Sequence, residues 1–361
     1  MDMTTIVVIG AGYSGLIAAH RLARRTDARV TLVNASPHFV ERIRLHQHAA
    51  GEGLRVRPLA ESVRGTGIDL VIGRVQALDP VGKTVDVDGR LIGYDTLVYA
   101  LGSIADDHGI PGVAENAFTV SDHTDATRLR ESLPRKGTVT VIGGGLTAIE
   151  AATELAEQHP HLHVRIVAGH APGSRLSARG RQHLGRVFAR LGIEVRTGAR
   201  VAKVLADSVV LTDGVELPTD VTVWTTGFRV SPVAADAGVE TDHSGRIVVD
   251  GTQRSVSHPD IYAVGDSAVV RVNGQELRMA CATAEPMAEY TAKAIAARLR
   301  GQEPRAFGYR YHIQCISLGR RDGLVQVVDA LDRPKERVIT GRVGALIKEG
   351  IVRGAGWAAL R

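Results

Sequence analysis

The 361-residue sequence predicts an α/β fold built from two similar strand–turn–helix units, followed by a small C-terminal α+β segment. Three observations carry this expectation. The run Thr5-Ile-Val-Val-Ile9 has the length and residue types of a strand and is followed by Gly10, Gly12 and Gly15 and then by helix formers. The same order returns at Thr138 to Ile142, with Gly143, Gly144 and Gly145 and with Ala148 in the place of the third glycine. Each unit then runs through short alternating strands into a terminal strand that ends in small residues, Tyr94 to Gly102-Ser103 in the first and Val221 to Gly227 in the second.

This is the order a dinucleotide site needs. Gly10 permits a tight turn, Gly12 lets the backbone approach a pyrophosphate, and Gly15 lets the helix pack closely on the strand, while free N–H groups at the helix start face the phosphate. In a chain with 40 glycines the spacing alone is a weak signal. The strand before it, the helix after it and the repeat of the whole block carry the inference of two nucleotide sites.

A chain of this length, 44% hydrophobic, suggests two or three domains. The net charge of +5 is spread without a long single-sign block, so nucleic-acid binding is not indicated. Met1 to Thr5 has no basic region, and the first apolar run reads as a strand rather than a signal peptide. No segment is long enough to span a bilayer. Cys281 and Cys315 are the only cysteines and lie 34 residues apart, which gives neither a Cys-x-x-Cys pair nor a disulfide framework and makes a reducing cytoplasm the expected location.

In chain order, Arg29 to Val33 reads as a second strand ending at Asn34, where an acid is usual; Asn34 offers one carbonyl oxygen and no charge to a ribose. Phe39 to His48 reads as a helix with Arg42 and His46 on one face, turned either to a ligand or to solvent. Strands follow at Asp69 to Val75, Lys83 to Val87 with an Asp88-Gly89 turn, and Tyr94 to Leu101. In the second unit Val164 to Val167 ends at Ala168, and His159, His161 and His163 read as a solvated loop rather than a metal site. Ile261 to Asp266 is a short strand ending in Gly265-Asp266, whose carboxylate suits a polyol or a helix cap. Thr283 to Arg300 is an alanine-rich helix, strands fall near Tyr311 to Leu318 and Leu324 to Ala330, and Val343 to Leu360 is an apolar helix carrying Lys348, Arg353 and Trp357. That last helix suits docking on the protein; the alternatives are a membrane surface or a subunit contact.

Taken together, the Gly10 loop, Tyr94-Asp95 through Gly102-Ser103, the Gly143 loop with Glu150, and Pro259 through Asp266 resemble the two-dinucleotide-binding flavoproteins of the pyridine nucleotide oxidoreductase superfamily, nearest to the type II NADH dehydrogenases and apoptosis-inducing-factor-like oxidoreductases. The resemblance covers roughly residues 5 to 300. It implies two Rossmann-like domains, the second inserted in the first: an FAD domain of 1–105 and 240–300, an NAD(P) domain of 106–239, and a C-terminal interface segment of 301–361. It implies that Gly10, Gly12 and Gly15 hold the FAD pyrophosphate, that Gly102 approaches FAD and that Asp266 binds its ribitol. Gly143 and Gly145 would hold the nicotinamide cofactor, with Glu150 near the nicotinamide. Further cofactor contacts are expected from Ala11, Tyr13, Ser14, Asn34, Arg42, Val75, Ala100, Leu101, Leu146, Ala168, His170, Arg175, Thr226, Gly227, Thr283 and Ala284.

The implied reaction passes a hydride from NAD(P)H to FAD and then electrons to an acceptor. Three readings stay open: a quinone or similar small aromatic acceptor, a ferredoxin-like redox protein as partner, and a flavin-binding sensor without turnover. The absence of a dithiol excludes a disulfide reductase. Cytoplasmic location with peripheral membrane contact, and an oligomer, are both compatible with the tail. Ala168 supplies no acid for a ribose hydroxyl, whereas His170, Arg175 and Arg179 can neutralise a 2′-phosphate, so NADPH is expected to be at least as good a donor as NADH; the alternative is that these residues are solvated. The quinone-reducing branch has Ala-Gln-x-x-x-Gln where this chain has Ala284-Glu285-Pro286-Met287-Ala288-Glu289. The spacing puts Glu285 and Glu289 on one helix face, where their proximity is expected to raise at least one pKa and give a proton-carrying acid; the alternative is a capping Glu285 and a solvated Glu289.

Overall fold

The computed structural model describes residues 3–361. The first strands are Thr5–Ile9 (β1), Arg29–Asn34 (β2), Asp69–Ile72 (β3) and Thr96–Tyr99 (β4), with Tyr13–Arg25 (α1) between β1 and β2. The chain then forms a second set: Ala117–Thr119 (β5), Gly137–Ile142 (β6), Leu146–Gln158 (α2), Leu162–Ala168 (β7), Ala178–Leu191 (α3), Glu194–Thr197 (β8) and Val221–Trp224 (β9). Ile261–Ala263 (β10) returns to pair with β4, so the first sheet runs β10-β4-β1-β2-β3 and the second runs β5-β9-β6-β7-β8, with parallel pairing throughout both. The second sheet is thereby inserted in the first, and the two Gly loops sit at the carboxyl ends of β1 and β6.

Both sheets are covered on two faces, which is why their strands read as nearly continuous apolar runs. Ile6 and Val8 pack with Leu16 and Leu22 of α1, while Val7 and Ile9 pack with Leu97, Tyr99 and Met287, all of them essentially out of solvent. Gly15 is required by contact: a Cβ there would overlap the Gly10 carbonyl, which is how the helix comes so close to the strand.

The sequence is read wrongly at Phe39–His48. In place of one helix there is a two-residue strand, His38–Phe39, paired with Arg57–Pro58, then a 3-10 turn over Arg42–Arg44 and a single helical turn, Leu45–Ala49. Phe39 is fully buried and meets the Tyr13 ring edge-on at 5.1 Å, so anchoring on α1 overrides local helix preference. Asp69 to Val75 is likewise two strands. After Ile72 the chain turns at Gly73, whose N–H donates to Asn34 O, and Val75–Asp79 starts a separate antiparallel sheet. The Asp88-Gly89 turn forms with φ of 52° and 83°.

Past the helix Cys281–Leu299 (α4), a three-stranded antiparallel sheet holds Ile313–Ser317 (β11), Gly323–Val328 (β12) and Pro334–Thr340 (β13), followed by Gly341–Ala359 (α5). Strand β13 is missed by pattern because Lys335, Glu336 and Arg337 break any alternation at this exposed edge. Helix α5 docks on the protein: Ala355 and Ala359 enter the core of the first unit, and Gly344 lies against the Gly323 backbone. Its outer face leaves Val343, Leu346 and Trp357 exposed. No helix among the described residues is long and apolar enough to cross a membrane.

Candidate active site

The first loop presents open backbone. Gly12 caps α1 with no side-chain hydrogen bond, and nothing lies within 4 Å of where its Cβ would be, so the N–H groups of the first turn face free space. Ala11 N–H donates to Asn34 Oδ1 at 2.9 Å, and Asn34 Nδ2 donates to Ser36 O at 2.8 Å. The one carbonyl oxygen of Asn34 therefore shapes the loop itself, which a carboxylate in its place would do while keeping an oxygen to spare.

Three distant pieces converge beside this loop. Gly102 has φ of +68° and donates its N–H to Ser267 Oγ at 2.8 Å, and Ser103 Oγ donates to Asp266 Oδ2 at 2.7 Å. Arg42 donates to Ser103 O at 2.6 Å and stands 3.9 Å from Asp266, with its Nη2 buried and without a partner. Ser14 Oγ donates to Ala284 O at 3.3 Å, and a Cβ on Gly265 would lie 2.6 Å from that hydroxyl. Ala100, Leu101 and Thr283 lie in this convergence, with Thr283 bound to Arg278 O and Ala280 O at the start of α4. Val75, two residues past Gly73, pairs with Val87 in the separate antiparallel sheet and packs against the core of the first unit.

The second loop repeats the first. Gly145 caps α2 just before Leu146, has no side-chain cap, and has nothing within 4 Å of a Cβ; Gly143 turns at φ +133°. At the end of β9, Thr226 Oγ1 is buried without a partner and Gly227 (φ +68°) lies against the His108 ring. Ala168 ends β7 and His170 is exposed. Arg175 points toward the C-terminal segment, 3.8 Å from Asp332, and the Ala178 and Arg179 N–H groups are taken by Glu336 at 3.1 and 3.0 Å.

Glu150, one turn into α2, faces the C-terminal segment. Its Oε1 accepts from Ser317 N–H and from Lys348 Nζ, both at 3.0 Å. Burial works against its charge, yet Lys348, His46 and the Ser317 N–H outweigh it and hold the carboxyl below its ordinary range. Lys348 is shifted upward, since Glu150 prevails over the burial that opposes its charge, and burial pushes His46 down to about 4. Arg42 and His46 thus do not share a face: one joins Ser103 and Asp266, the other is buried beside Glu150.

A pyridine nucleotide-disulphide oxidoreductase family profile matches residues 4–289. The chain belongs to that family. An NADH dehydrogenase-like protein of Mycobacterium tuberculosis is 31% identical over 88% of this chain and 86% of its own. A type II NADH:quinone oxidoreductase of Staphylococcus epidermidis is 26% identical over 97% and 94%. Among solved structures, NDH2 from Plasmodium falciparum in complex with NADH superposes with a TM-score of 0.85 at 14% identity, over 99% of this chain and 96% of that one. As a pyridine nucleotide oxidoreductase the chain is an NAD(P)H-dependent enzyme whose cofactors are FAD and NAD(P)H.

The residues fit that pair of cofactors. Two helix starts without side-chain caps, open space at Gly12, Gly102 and Gly145, and the orphaned Arg42 Nη2 and Thr226 Oγ1 leave donors and room for two dinucleotides. Against the family's name, the two cysteines are both free thiols, and burial raises Cys281 to about 11 and shifts Cys315 upward as well.

The expected repulsion between Glu285 and Glu289 is not what the structure contains. Glu289 binds Arg21 and Arg25 at 2.6 Å each and Lys293 at 3.1 Å, and although burial opposes its charge these cations pull it to about 2. Glu285 is shifted upward by burial. Nor is Glu289 solvated: it fastens α4 to α1.

Sequence reasoning missed Lys348 and Ser317 as partners of Glu150; a lone lysine in an apolar helix was the available signal. It also missed Glu154, fully buried with both carboxyl oxygens unpartnered, for which a glutamate one turn beyond Glu150 was the only trace. The histidine run is tied to protein, His159 to Ala50 O and His163 to Glu194, and no cluster of three or more metal-ligating groups occurs among the described residues.

Proposed function

We propose that the chain carries two electrons from NAD(P)H by way of FAD to a quinone or a similar small aromatic acceptor. The observation that carries this reading is the position of Glu285. It follows Ala284, whose carbonyl is bound by Ser14 of the first loop, and burial raises its pKa, so a carboxyl able to hold a proton stands beside the FAD loop. Reduction of a quinone needs protons as well as electrons, whereas reduction of an iron-sulfur protein needs electrons alone. The Staphylococcus relative bears the same activity in its name.

When bound, FAD takes the hydride of NAD(P)H and hands its electrons on. The chain supplies the geometry. In this reading the N–H groups after Gly12 and Gly145 hold the two pyrophosphates, Asp266 with Ser103 and Arg42 orients a polyol, and Glu150, fixed by Lys348 and Ser317, borders the nicotinamide. The exposed Val343, Leu346 and Trp357 of α5, with Arg342 and Arg353, suit peripheral contact with the cytoplasmic face of a membrane, where quinones dissolve.

The test is an anaerobic acceptor screen on holoenzyme reduced with NAD(P)H. Turnover with short-chain quinones supports the reading. Turnover only with a ferredoxin-like protein replaces it.

A further inference from the structure

Helix α5 and the segment from Glu41 to Arg57 leave a cavity of about 710 Å³ between them, and no residue of either glycine loop lines it. Every acid in its wall is already engaged: Arg44 holds Glu41 at 2.9 Å and Glu349 at 2.8 Å, Arg353 adds to Glu349 at 2.7 Å, and Arg320 takes Glu52 at 2.7 Å. Two cations are left over. Arg55 and Arg57 line the same cavity and form no ion pair or side-chain hydrogen bond with any described residue, and Arg57 Nε is buried without an acceptor. The lining also has an apolar part, made of Leu54, Leu360 and the indole of Trp357, which is 59% exposed. A guanidinium drawn partly out of water with no counter-charge carries a cost that an oxyanion removes. Two of them suit a phosphate, whose oxygens can serve both forks, better than a carboxylate, whose two oxygens are used up by one. The volume lies within the range of about 300–1,000 Å³ usual for small-molecule sites, which leaves room beyond a phosphate group for an organic substituent against the indole.

We propose that this cavity binds an organic phosphate, with Arg55 and Arg57 on the phosphate and Leu54, Trp357 and Leu360 against its apolar part. Two sources share that chemistry, a soluble phosphate ester and the headgroup of an anionic phospholipid. The site is independent of which acceptor takes the electrons. A neutral aromatic would leave both arginines unanswered, and an inorganic ion would leave the apolar part of the lining bare. Because one wall is α5 and the other belongs to the first unit, an occupant ties the C-terminal helix, which carries Lys348, to that unit and stabilises the pair.

Titration of the holoenzyme followed by tryptophan fluorescence tests the site, since Trp224 is 2% exposed and Trp357 faces the cavity; Trp357→Phe identifies the signal. The probes are phenyl phosphate, its neutral counterpart benzyl alcohol, inorganic phosphate, and phosphatidylcholine vesicles with and without phosphatidylglycerol. Phenyl phosphate should bind wild type more tightly than benzyl alcohol or inorganic phosphate and raise its melting temperature, which assigns a soluble ester; binding only by the phosphatidylglycerol vesicles assigns the lipid headgroup. In either case Arg55→Gln combined with Arg57→Gln should weaken binding about 10²-fold, with flavin reduction by NAD(P)H unchanged. Absence of binding by both phenyl phosphate and the phosphatidylglycerol vesicles overturns the proposal, as does benzyl alcohol binding as tightly as phenyl phosphate. Vesicle binding that survives in the double variant also overturns it, since the contact then lies on the outer face of α5. If the double variant fails to fold, Arg55→Gln alone, at an exposed position, decides by a loss of about tenfold.

Discussion

Lys348 Nζ lies 3.0 Å from Glu150 Oε1, and this one pair fastens the C-terminal helix to the helix that starts at the second nucleotide loop. Both side chains are largely buried, so neither charge can be satisfied by water if the other is lost. Lys348→Met should cost about 3–5 kcal/mol of stability, read as a lowered denaturation midpoint. The double variant Lys348→Met with Glu150→Gln should recover much of that loss, because no buried charge is then left alone.

Stability should peak near pH 6.5. Burial depresses His20 and His46 to about 4 from 6.5, so as pH falls below 6.5 the unfolded chain takes up protons that the folded chain refuses, and stability drops until about pH 4. Glu154 has the opposite sign. Its folded pKa is raised to about 8 from 4.5, so stability present at low pH is lost as pH rises toward 8. Between 4.5 and 6.5 the two histidines outweigh Glu154; above 6.5 they no longer contribute and the loss from Glu154 remains. Urea midpoints from pH 4 to 9 should show the maximum, and Glu154→Gln should flatten its alkaline side.

Two glycines of the repeated motif should respond to alanine in different ways. Gly15→Ala would overlap the Gly10 carbonyl and should destabilise the fold by about 1–3 kcal/mol, with loss of FAD on purification. Gly145→Ala meets no protein atom within 4 Å, so its melting temperature should stay near that of wild type. In the proposed reading Gly145 borders the pyrophosphate of NAD(P)H, so the new methyl group should crowd it and raise the KM for NAD(P)H. Thermal melts and steady-state kinetics separate the two.

In the proposed reading donor choice turns on the end of β7. With Ala168 there, NADPH should serve at least as well as NADH. Ala168→Asp should weaken NADPH about tenfold through like-charge repulsion with the 2′-phosphate, and Arg175→Ala should harm NADPH alone. Stopped-flow comparison of the two donors reads both. A tenfold preference for NADH in wild type would contradict the expectation.

Glu285→Gln keeps the size of the side chain and removes a carboxyl whose pKa burial shifts upward. Reduction by NAD(P)H should be nearly intact, while reoxidation by a two-electron, proton-requiring acceptor should slow by about 10²-fold, with little change toward ferricyanide. Equal loss in both half-reactions would show that Glu285 has no acceptor-side role.

The two glycine loops and their strands were legible in the sequence because each is local: Gly10 and Gly143 are demanded by backbone turns, and Thr5–Ile9 by an uninterrupted apolar run; the return of the Ile261–Ala263 strand to pair beside Leu97–Tyr99 is long-range and came only from the family resemblance. What escaped depends on partners far along the chain. Phe39 leaves a helical pattern because Tyr13 holds it. Glu289 looks like a neighbour for Glu285 in sequence, but Arg21 and Arg25, more than 250 residues earlier, claim it. Glu150 and Lys348 are separated by the whole return of the first unit, and no spacing rule joins them.

The most direct test of the central claim is anaerobic double-mixing: holoenzyme is reduced by one equivalent of NADPH or NADH and then met with a short-chain quinone. Loss of flavin absorbance in the first mix, and its return in the second with one quinol formed per NAD(P)H oxidised, is the predicted result. Flavin that stays oxidised after the first mix, or that reoxidises only with an iron-sulfur protein, would contradict it.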